Sequence, residues 1–348
     1  MYVYGTLGSS SNRERLQRSR TAYARGINLA RSQFDPWRII MHYRAGALAQ
    51  THATDTTVLS RPTLFVLAMS TPQSCTMLAC WQMWMRRMML HDHHANYEIH
   101  LLSYDATARN NLSDNDGSFY SASFLEAQVQ KVNNVARFMH RMDENATVIM
   151  MDLDVMPLRP LSQLLAAIPP SREVTWMYNS VRHMPANAGF YLMRNTANVR
   201  ALLDRWHARC LQSFAPDNND QRILNSLLES LSRGALHWDL FPWDLVAGGS
   251  PWRDQSVDAP RHAVANRSRM RSYVTSSKLI AYHAIGHHST RTKLLATEEI
   301  LLTVQEVANA EWAAASGNQT HPYVVWQAPC NALAAEASCQ SGGTKDGI

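Results

Sequence analysis

Between residues 61 and 315 of this 348-residue chain, apolar runs and amphipathic stretches alternate. Thr63 to Met69 (TLFVLAM) is a short apolar run of the kind that forms a buried strand, and Thr76 to Leu90 is a Met- and Trp-rich helical stretch. Its methionines, Met77 to Met89, are assigned to the core. Tyr97 to Tyr104 (YEIHLLSY) reads as a second strand. A long amphipathic helix follows from about Ser121 to Met142, with Phe124, Val129, Val132, Val135 and Phe138 at helical spacing. Thr147 to Met151 (TVIMM) is fully apolar and therefore a central strand. Strand and helix in this alternation imply right-handed crossovers and a mainly parallel sheet. Beyond it come a short helix near Leu161 to Ile168, strands at Val174 to Asn179 and Gly189 to Arg194, and helices at Asn198 to Cys210 and Asp220 to Leu231. Residues 235 to 248 are rich in Trp and Asp without a clean period. Leu279 to His283 is a last short strand, and Thr292 to Ala315 is helical. The expected class is α/β, a Rossmann-like sheet flanked by helices in a single domain over residues 61–315. Residues 1–60 read as a loosely ordered basic arm with one short helix around Arg20 to Arg31, and residues 316–348 as a tail.

Composition narrows the partners more than the fold. Apolar residues make up 46% and charged residues 18%, as in a folded globular protein. The net charge of +5 is too small and too dispersed to argue for nucleic acid over a phosphate-bearing small molecule. Much of the basic excess is in the arm, where Arg13, Arg15, Arg18, Arg20, Arg25, Arg31, Arg38 and Arg44 face only Glu14 and Asp35. That pattern fits an organelle transit peptide or an unstructured arm equally well. No run of about 18 apolar residues exists to serve as a transmembrane anchor. The five cysteines form no zinc pattern, although Cys330 and Cys339 are spaced to close a small loop in an oxidising compartment. Acceptor tripeptides for glycosylation begin at Asn111, Asn145, Asn266 and Asn318. The compartment stays open: a Golgi lumen if an anchor precedes this sequence, otherwise the cytoplasm.

The chemistry centres on TVIMMDLDVMPLRPL, an apolar strand that runs into Asp152-Leu153-Asp154. Residues two apart on a strand share a face, so both carboxylates are expected to project together at the carboxyl end of a central strand. Open parallel sheets bind ligands there. Two converging carboxylates repel unless a cation sits between them, and hard oxygen ligands select Mn²⁺ or Mg²⁺. Such an ion bridges to a diphosphate and neutralises a departing phosphate. A solvated turn is the other reading of a lone Asp-x-Asp. The apolar run before it and the Pro-containing turn after it (Met156-Pro157-Leu158-Arg159-Pro160) favour the ligand site.

The stretch from Lys131 to Pro160, Asn187-Ala188-Gly189-Phe190, Asp220-Gln221 with Asn225, and His283 with Gly286 resembles the nucleotide-diphospho-sugar transferases. These are retaining enzymes of GT-A fold that include the plant and algal xylosyl- and arabinosyltransferases of family seventy-seven and their glycogenin-like relatives. The resemblance implies a GT-A fold, a nucleotide-sugar donor, probed first as a UDP-sugar, and a hydroxyl acceptor on a glycan, protein or small molecule. Asp154 and His283 would ligate the metal, and Asp152 would contact the metal or the donor ribose. Lys131 would neutralise the donor; Asn187 and Gly189 would open the strand lining the sugar pocket, with Gly189 allowing close approach. Asp220 and Gln221 would lie beside the anomeric carbon, orienting the sugar and stabilising its oxocarbenium character. Gly286 would belong to the donor-binding turn. The family often has a lysine three residues past this glycine, where Ser289 stands here, and Lys293 is the candidate substitute, with His287 and His288 as further donors of hydrogen bonds. Sheet geometry places Ala68, Met69, Ser70, Tyr104 and Asp105 beside the nucleobase.

Plainer readings stand beside these: a satisfied core histidine for His283, a solvated helix lysine for Lys131, an N-cap for Asp220 and a plain turn at Asn187-Ala188-Gly189. Trp238, Trp243 and Trp252, with Asp239 and Asp244, are either core or an acceptor site, because aromatic faces stack on sugar rings. Haloacid-dehalogenase-like phosphatases also end a strand in Asp-x-Asp but need Thr or Ser where Met156 stands. A GT-A-shaped binding module without turnover is the remaining alternative, since fold alone does not prove activity.

Overall fold

The computed structural model describes residues 39–43, 61–70, 74–92, 94–103, 122–179, 184–213, 218–231, 234–249, 263–276, 278–285 and most of 293–307. Its strands are β1 (Ile39–Tyr43), β2 (Thr63–Ser70), β3 (Asn96–Ser103), β4 (Thr147–Met151), β5 (Val155–Pro157), β6 (Val174–Tyr178), β7 (Ala186–Arg194), β8 (Trp238–Leu240), β9 (Val246–Gly248) and β10 (Ala281–His283). Its helices are α1 (Cys75–His91), α2 (Ala122–Arg141), α3 (Ser162–Ala167), α4 (Ala197–Ser213), α5 (Asp220–Ser230) and α6 (Ala263–Ser276).

Seven strands form one sheet in the order β1-β3-β2-β4-β7-β6-β8. β2, β3 and β4 are mutually parallel, as are β6 and β8, whereas β1 and β7 are antiparallel to their neighbours. Five of the seven strands therefore point the same way, the mainly parallel α/β architecture expected. The apolar run of β4 follows from its two covered faces. Val148 and Met150 pack with Val132 and Val135 of α2 and with Leu203 and Trp206 of α4. Ile149 and Met151 pack on the opposite side with Trp81, Trp84 and Met85 of α1. With alternate residues entering two different cores, no polar position is tolerated. The Met- and Trp-rich helix is core, as its composition predicted.

The three-residue strands β5, β10 and β9 build a second, small sheet against the first. β5 lies where the sequence suggested a turn: Met156 and Pro157 are sheet residues, and the chain turns only after them. β1 falls within the expected loose arm; five residues flanked by arginines are too few to show a period, and its order comes from pairing with β3. α6 was also not anticipated, because its buried residues, Met270, Tyr273 and Val274, occupy a single turn between arginines. Among the described residues no helix is long and apolar enough to cross a membrane. Cys80 is disulfide-bonded and Cys210 is a free, buried thiol. Cys330 and Cys339 lie outside the described residues.

Candidate active site

The carboxylate pair converges by a turn and not by strand pleat. β4 ends at Met151, and the Asp152 amide adds one more rung by donating to Gly189 O on β7 at 2.7 Å. The chain then reverses, with Val155 N–H donating to Asp152 O at 3.0 Å, and enters β5. The expectation that Asp152 and Asp154 share a strand face is thus corrected: a tight turn aims both side chains inward. β5 pairs antiparallel with β10, setting His283 opposite Val155, and Ala284 N–H donates to Asp154 O at 3.0 Å. A residue far along the chain is delivered beside the aspartates by this three-residue ladder. One ligand atom each from Asp152, Asp154 and His283 lies within 4.8 Å of the others.

Two ammonium groups balance the carboxylates. Lys131 Nζ, from α2, is 3.4 Å from Asp152 Oδ1 and 3.2 Å from Asp220 Oδ2, and donates to Ala188 O at 3.3 Å. Burial alone would lower the pKa of Lys131, but the charges of Asp152 and Asp220 outweigh it and hold the ammonium above its usual range. The lysine is therefore a buried ion-pair partner and not a solvated helix residue. Lys293 Nζ is 2.6 Å from Asp154 Oδ2, and His283 Nε2 is 3.0 Å from Asp154 Oδ1. Burial would raise the Asp154 pKa; the opposing charges of His283 and Lys293 win and hold it well below the carboxylate range. Asp152, a third exposed at its side chain, is shifted the other way, raised by burial and by Asp154 against the pull of Lys131.

β7 forms the floor. It makes a wide bulge against β6, with Trp176 opposite Tyr191 but Met177 opposite Asn187, so residues 188 to 190 have no β6 partner. Gly189 in this bulge lies so close to the site that a Cβ there would be 2.6 Å from Asp152 Oδ2 and 2.4 Å from His283 Cε1. Asn187 Oδ1 accepts from Gly189 N–H at 2.7 Å, and pairing of β7 with β4 makes this stretch strand and bulge, not a plain turn. α5 supplies Asp220, Gln221 and Asn225. The N-cap of α5 is Asn219, which accepts from Arg222 N–H at 2.9 Å, so the buried Asp220 is free of that duty. Gln221 Oε1 accepts from Ala188 N–H at 3.3 Å. Asn225 receives Ala186 N–H at 2.9 Å and returns a bond to Ala186 O at 2.8 Å, locking α5 to β7.

Nine of the candidate residues thus lie on one cluster of elements: Lys131, Asp152, Asp154, Asn187, Gly189, Asp220, Gln221, His283 and Lys293. Ala68 does not join them. Its methyl is fully buried in the core on the α1 side of the sheet, because a small residue on β2 is needed for packing there. Ser70 ends β2; Asp105, Gly286, Ser289 and Trp252 lie outside the described residues. Tyr191 was not anticipated. It is fully buried, its hydroxyl has no partner, and burial raises its pKa, opposed by Lys131 and reinforced by Asp152 and Asp220. Its place two residues beyond Gly189 was the only signal available.

A metal fits this donor set on two structural grounds. The buried Nδ1 of His283 lacks a hydrogen-bond partner within the protein. Asp152, Asp154 and His283 bring their ligand atoms together over Gly189, where no side chain from β7 intrudes. Two carboxylates and an imidazole suit a hard or borderline divalent ion. The aspartates lie at the carboxyl end of an interior strand of a mainly parallel sheet, the position at which such sheets bind ligands. Residues 89–296, more than half of the chain, match the nucleotide-diphospho-sugar transferase family, and the chain belongs to that family of glycosyltransferases.

Three similar solved structures are remote in sequence. One is a glycosyltransferase involved in glycosylation of the major capsid of PBCV-1, with 9% identity and a TM-score of 0.42, covering 68% of this chain and all of that one. Another is the galactosyltransferase LgtC in complex with donor and acceptor sugar analogues, with 13% identity and a TM-score of 0.44, covering 72% and 99%. A third is mouse xyloside xylosyltransferase 1 in its apo form, with 12% identity and a TM-score of 0.40, covering 65% and 99%. No curated protein sequence matches the chain.

Proposed function

We propose that this glycosyltransferase moves a hexose or pentose from a UDP-sugar to a hydroxyl acceptor on a glycan, protein or small molecule, with Mn²⁺ or Mg²⁺ and with retention at the anomeric carbon. The observation that carries the reading is the convergence of Asp152, Asp154 and His283 beside Lys131 and Asp220. A divalent ion there would be held by Asp152, Asp154 and His283 and would stabilise negative charge on the departing diphosphate. Lys131 adds a fixed positive charge within a buried setting, where it acts with little screening. Asp220, held by Lys131 and by its own helix terminus, is an anchored carboxylate available to accept a sugar hydroxyl and to face oxocarbenium charge. Gln221, whose oxygen is engaged by Ala188, keeps its amide nitrogen to donate. Gly189, having no side chain, lets Asp152 and His283 close against β7.

The phosphatase alternative loses its support, because the required hydroxyl position is the fully buried Met156 of β5. A secretory lumen is the compartment this reading favours, since the disulfide at Cys80 persists in oxidising surroundings. The test is hydrolysis of a panel of UDP- and GDP-sugars with and without Mn²⁺, in wild type and Asp154→Ala. Turnover should depend on the ion and fall by about 10²-fold or more on substitution. Turnover that survives Asp154→Ala unchanged removes the metal site, and nucleotide binding without turnover of any sugar makes the chain a binding module.

A further inference from the structure

Both oxygens of Asp154 are engaged, Oδ1 by His283 and Oδ2 by Lys293 at 2.6 Å, and the Asp154 side chain is only 8% exposed. Lys293 comes from the helical segment within residues 293–307, 139 positions along the chain from its partner. It does not stand at the family's lysine position, which is Ser289 in this chain. An ion held by Asp152, Asp154 and His283 would lie about 2 Å from an Asp154 oxygen. An ammonium gripping the other oxygen of the same carboxylate would then face a doubly charged cation inside a buried site, where repulsion is weakly screened. Lysine is suited to yield, being a compact charge on a flexible four-carbon stem.

We infer that Lys293 is a displaceable counter-ion: it neutralises Asp154 in the free protein and passes to the donor diphosphate when the divalent ion takes Asp154. This rests on the metal site proposed above. Charge bookkeeping gives its consequence. Asp152, Asp154 and Asp220 face Lys131 and Lys293, leaving one negative charge when His283 is neutral. A divalent ion alone overshoots that balance and strands Lys293, whereas an ion arriving with a diphosphate gives Lys293 a new anion to bind. Metal and nucleotide therefore bind cooperatively, and by linkage each raises the affinity of the other by the same factor.

The test measures Mn²⁺ binding by electron paramagnetic resonance, with and without UDP, for the full chain and for Lys293→Met, Lys293→Gln and Lys293→Arg. The wild type should bind Mn²⁺ weakly alone, and UDP should tighten it on the order of 10- to 100-fold. The two neutral variants should bind Mn²⁺ alone about tenfold more tightly than wild type and should lose most of the enhancement by UDP. Lys293→Arg should resemble wild type. Neutral variants that bind Mn²⁺ alone no better than wild type, while UDP still enhances wild-type binding, would overturn the counter-ion role and leave the metal site standing. So would an arginine variant as tight as the neutral ones. If UDP binds but Mn²⁺ binds to none of the four proteins, the metal site itself is wrong, a distinct result.

Discussion

Gly189→Ala is a demanding test of the site, because it adds one methyl and changes no charge. Gly189 is not among the glycines with left-handed backbone, which are Gly234 and Gly249, so alanine can adopt its conformation and only space opposes it. The new Cβ would stand 2.4 Å from His283 Cε1, 2.6 Å from Asp152 Oδ2 and 3.0 Å from Asn187 Oδ1. Favourable contact needs about 3.5 Å, so the imidazole and the carboxylate must each retreat by about 1 Å. Overpacking of this kind costs about 1–3 kcal/mol of stability. A misplacement of about 1 Å in a catalytic constellation costs about 10²-fold in rate. Turnover should therefore fall about 100-fold while the melting temperature drops by roughly 2–12 °C, taking about 2–4 °C per kcal/mol for a domain of this size. The assays are Mn²⁺-dependent donor hydrolysis and thermal unfolding of the same preparation. Gly248→Ala is the control: its Cβ would meet Ile285 Cδ1 at 2.5 Å and Met177 Cε at 3.0 Å, the movable ends of two side chains. A Gly189→Ala protein with wild-type turnover would refute the placement of Asp152 and His283 against this glycine.

Lys131→Met should leave Asp152 and Asp220 without their shared cation and lower the unfolding free energy in urea by about 3–5 kcal/mol, the usual cost of deleting one partner of a buried pair; a loss below about 1 kcal/mol would deny the pairing. The pKa of Asp154 is depressed from 3.8, so its contribution to stability is present above pH 3.8 and is lost as pH falls below it. In metal-free buffer, Asp154→Asn should flatten the acid limb of the stability curve, and an unchanged limb would contradict the pairing with His283 and Lys293. Far from the site, the buried Asp92 accepts from Tyr97 OH, from His94 N–H at 2.9 Å and from Ser162 Oγ at 2.8 Å. Asp92→Ala should cost about 3 kcal/mol through the donors it orphans, yet leave the Mn²⁺ concentration dependence of turnover unchanged.

The parts of the fold legible in the sequence are those in which side chains repeat. β2, β3, β4, α1 and α2 announce themselves because two apolar cores press on one sheet and dictate every position of β4. Strand direction leaves no such trace, and the antiparallel β7 between β4 and β6 is a matter of connection, not composition. Three-residue strands such as β5, β9 and β10 are too short for a period. The aspartate pair was found for a reason that needed correcting, since its convergence comes from the turn into β5. Ala68 points into the α1-side core because successive residues of a strand face opposite sides of the sheet, a choice of face that its sequence position does not reveal. Tyr191 looked like one more apolar strand residue, and its buried phenol appears only when α2 and α5 bring Lys131 and Asp220 beside it.

The small sheet explains why such a polar cluster can be both buried and adaptable. Asp154 and Val155 sit at one end of the β5–β10 ladder, and that ladder is the backbone tie between the aspartate turn and His283. Lys293 reaches the same carboxylate from a third segment, 139 positions along the chain from Asp154. The α2–β7–α5 side, by contrast, is fixed by Lys131 to Ala188, Gln221 to Ala188 and Asn225 to Ala186. Charges added near Asp152 therefore act on a rigid wall, while charges added near Asp154 act on a lysine with a flexible stem. On the proposed function, sugar positioning falls to the rigid side and ligand-linked rearrangement to the side that carries Lys293.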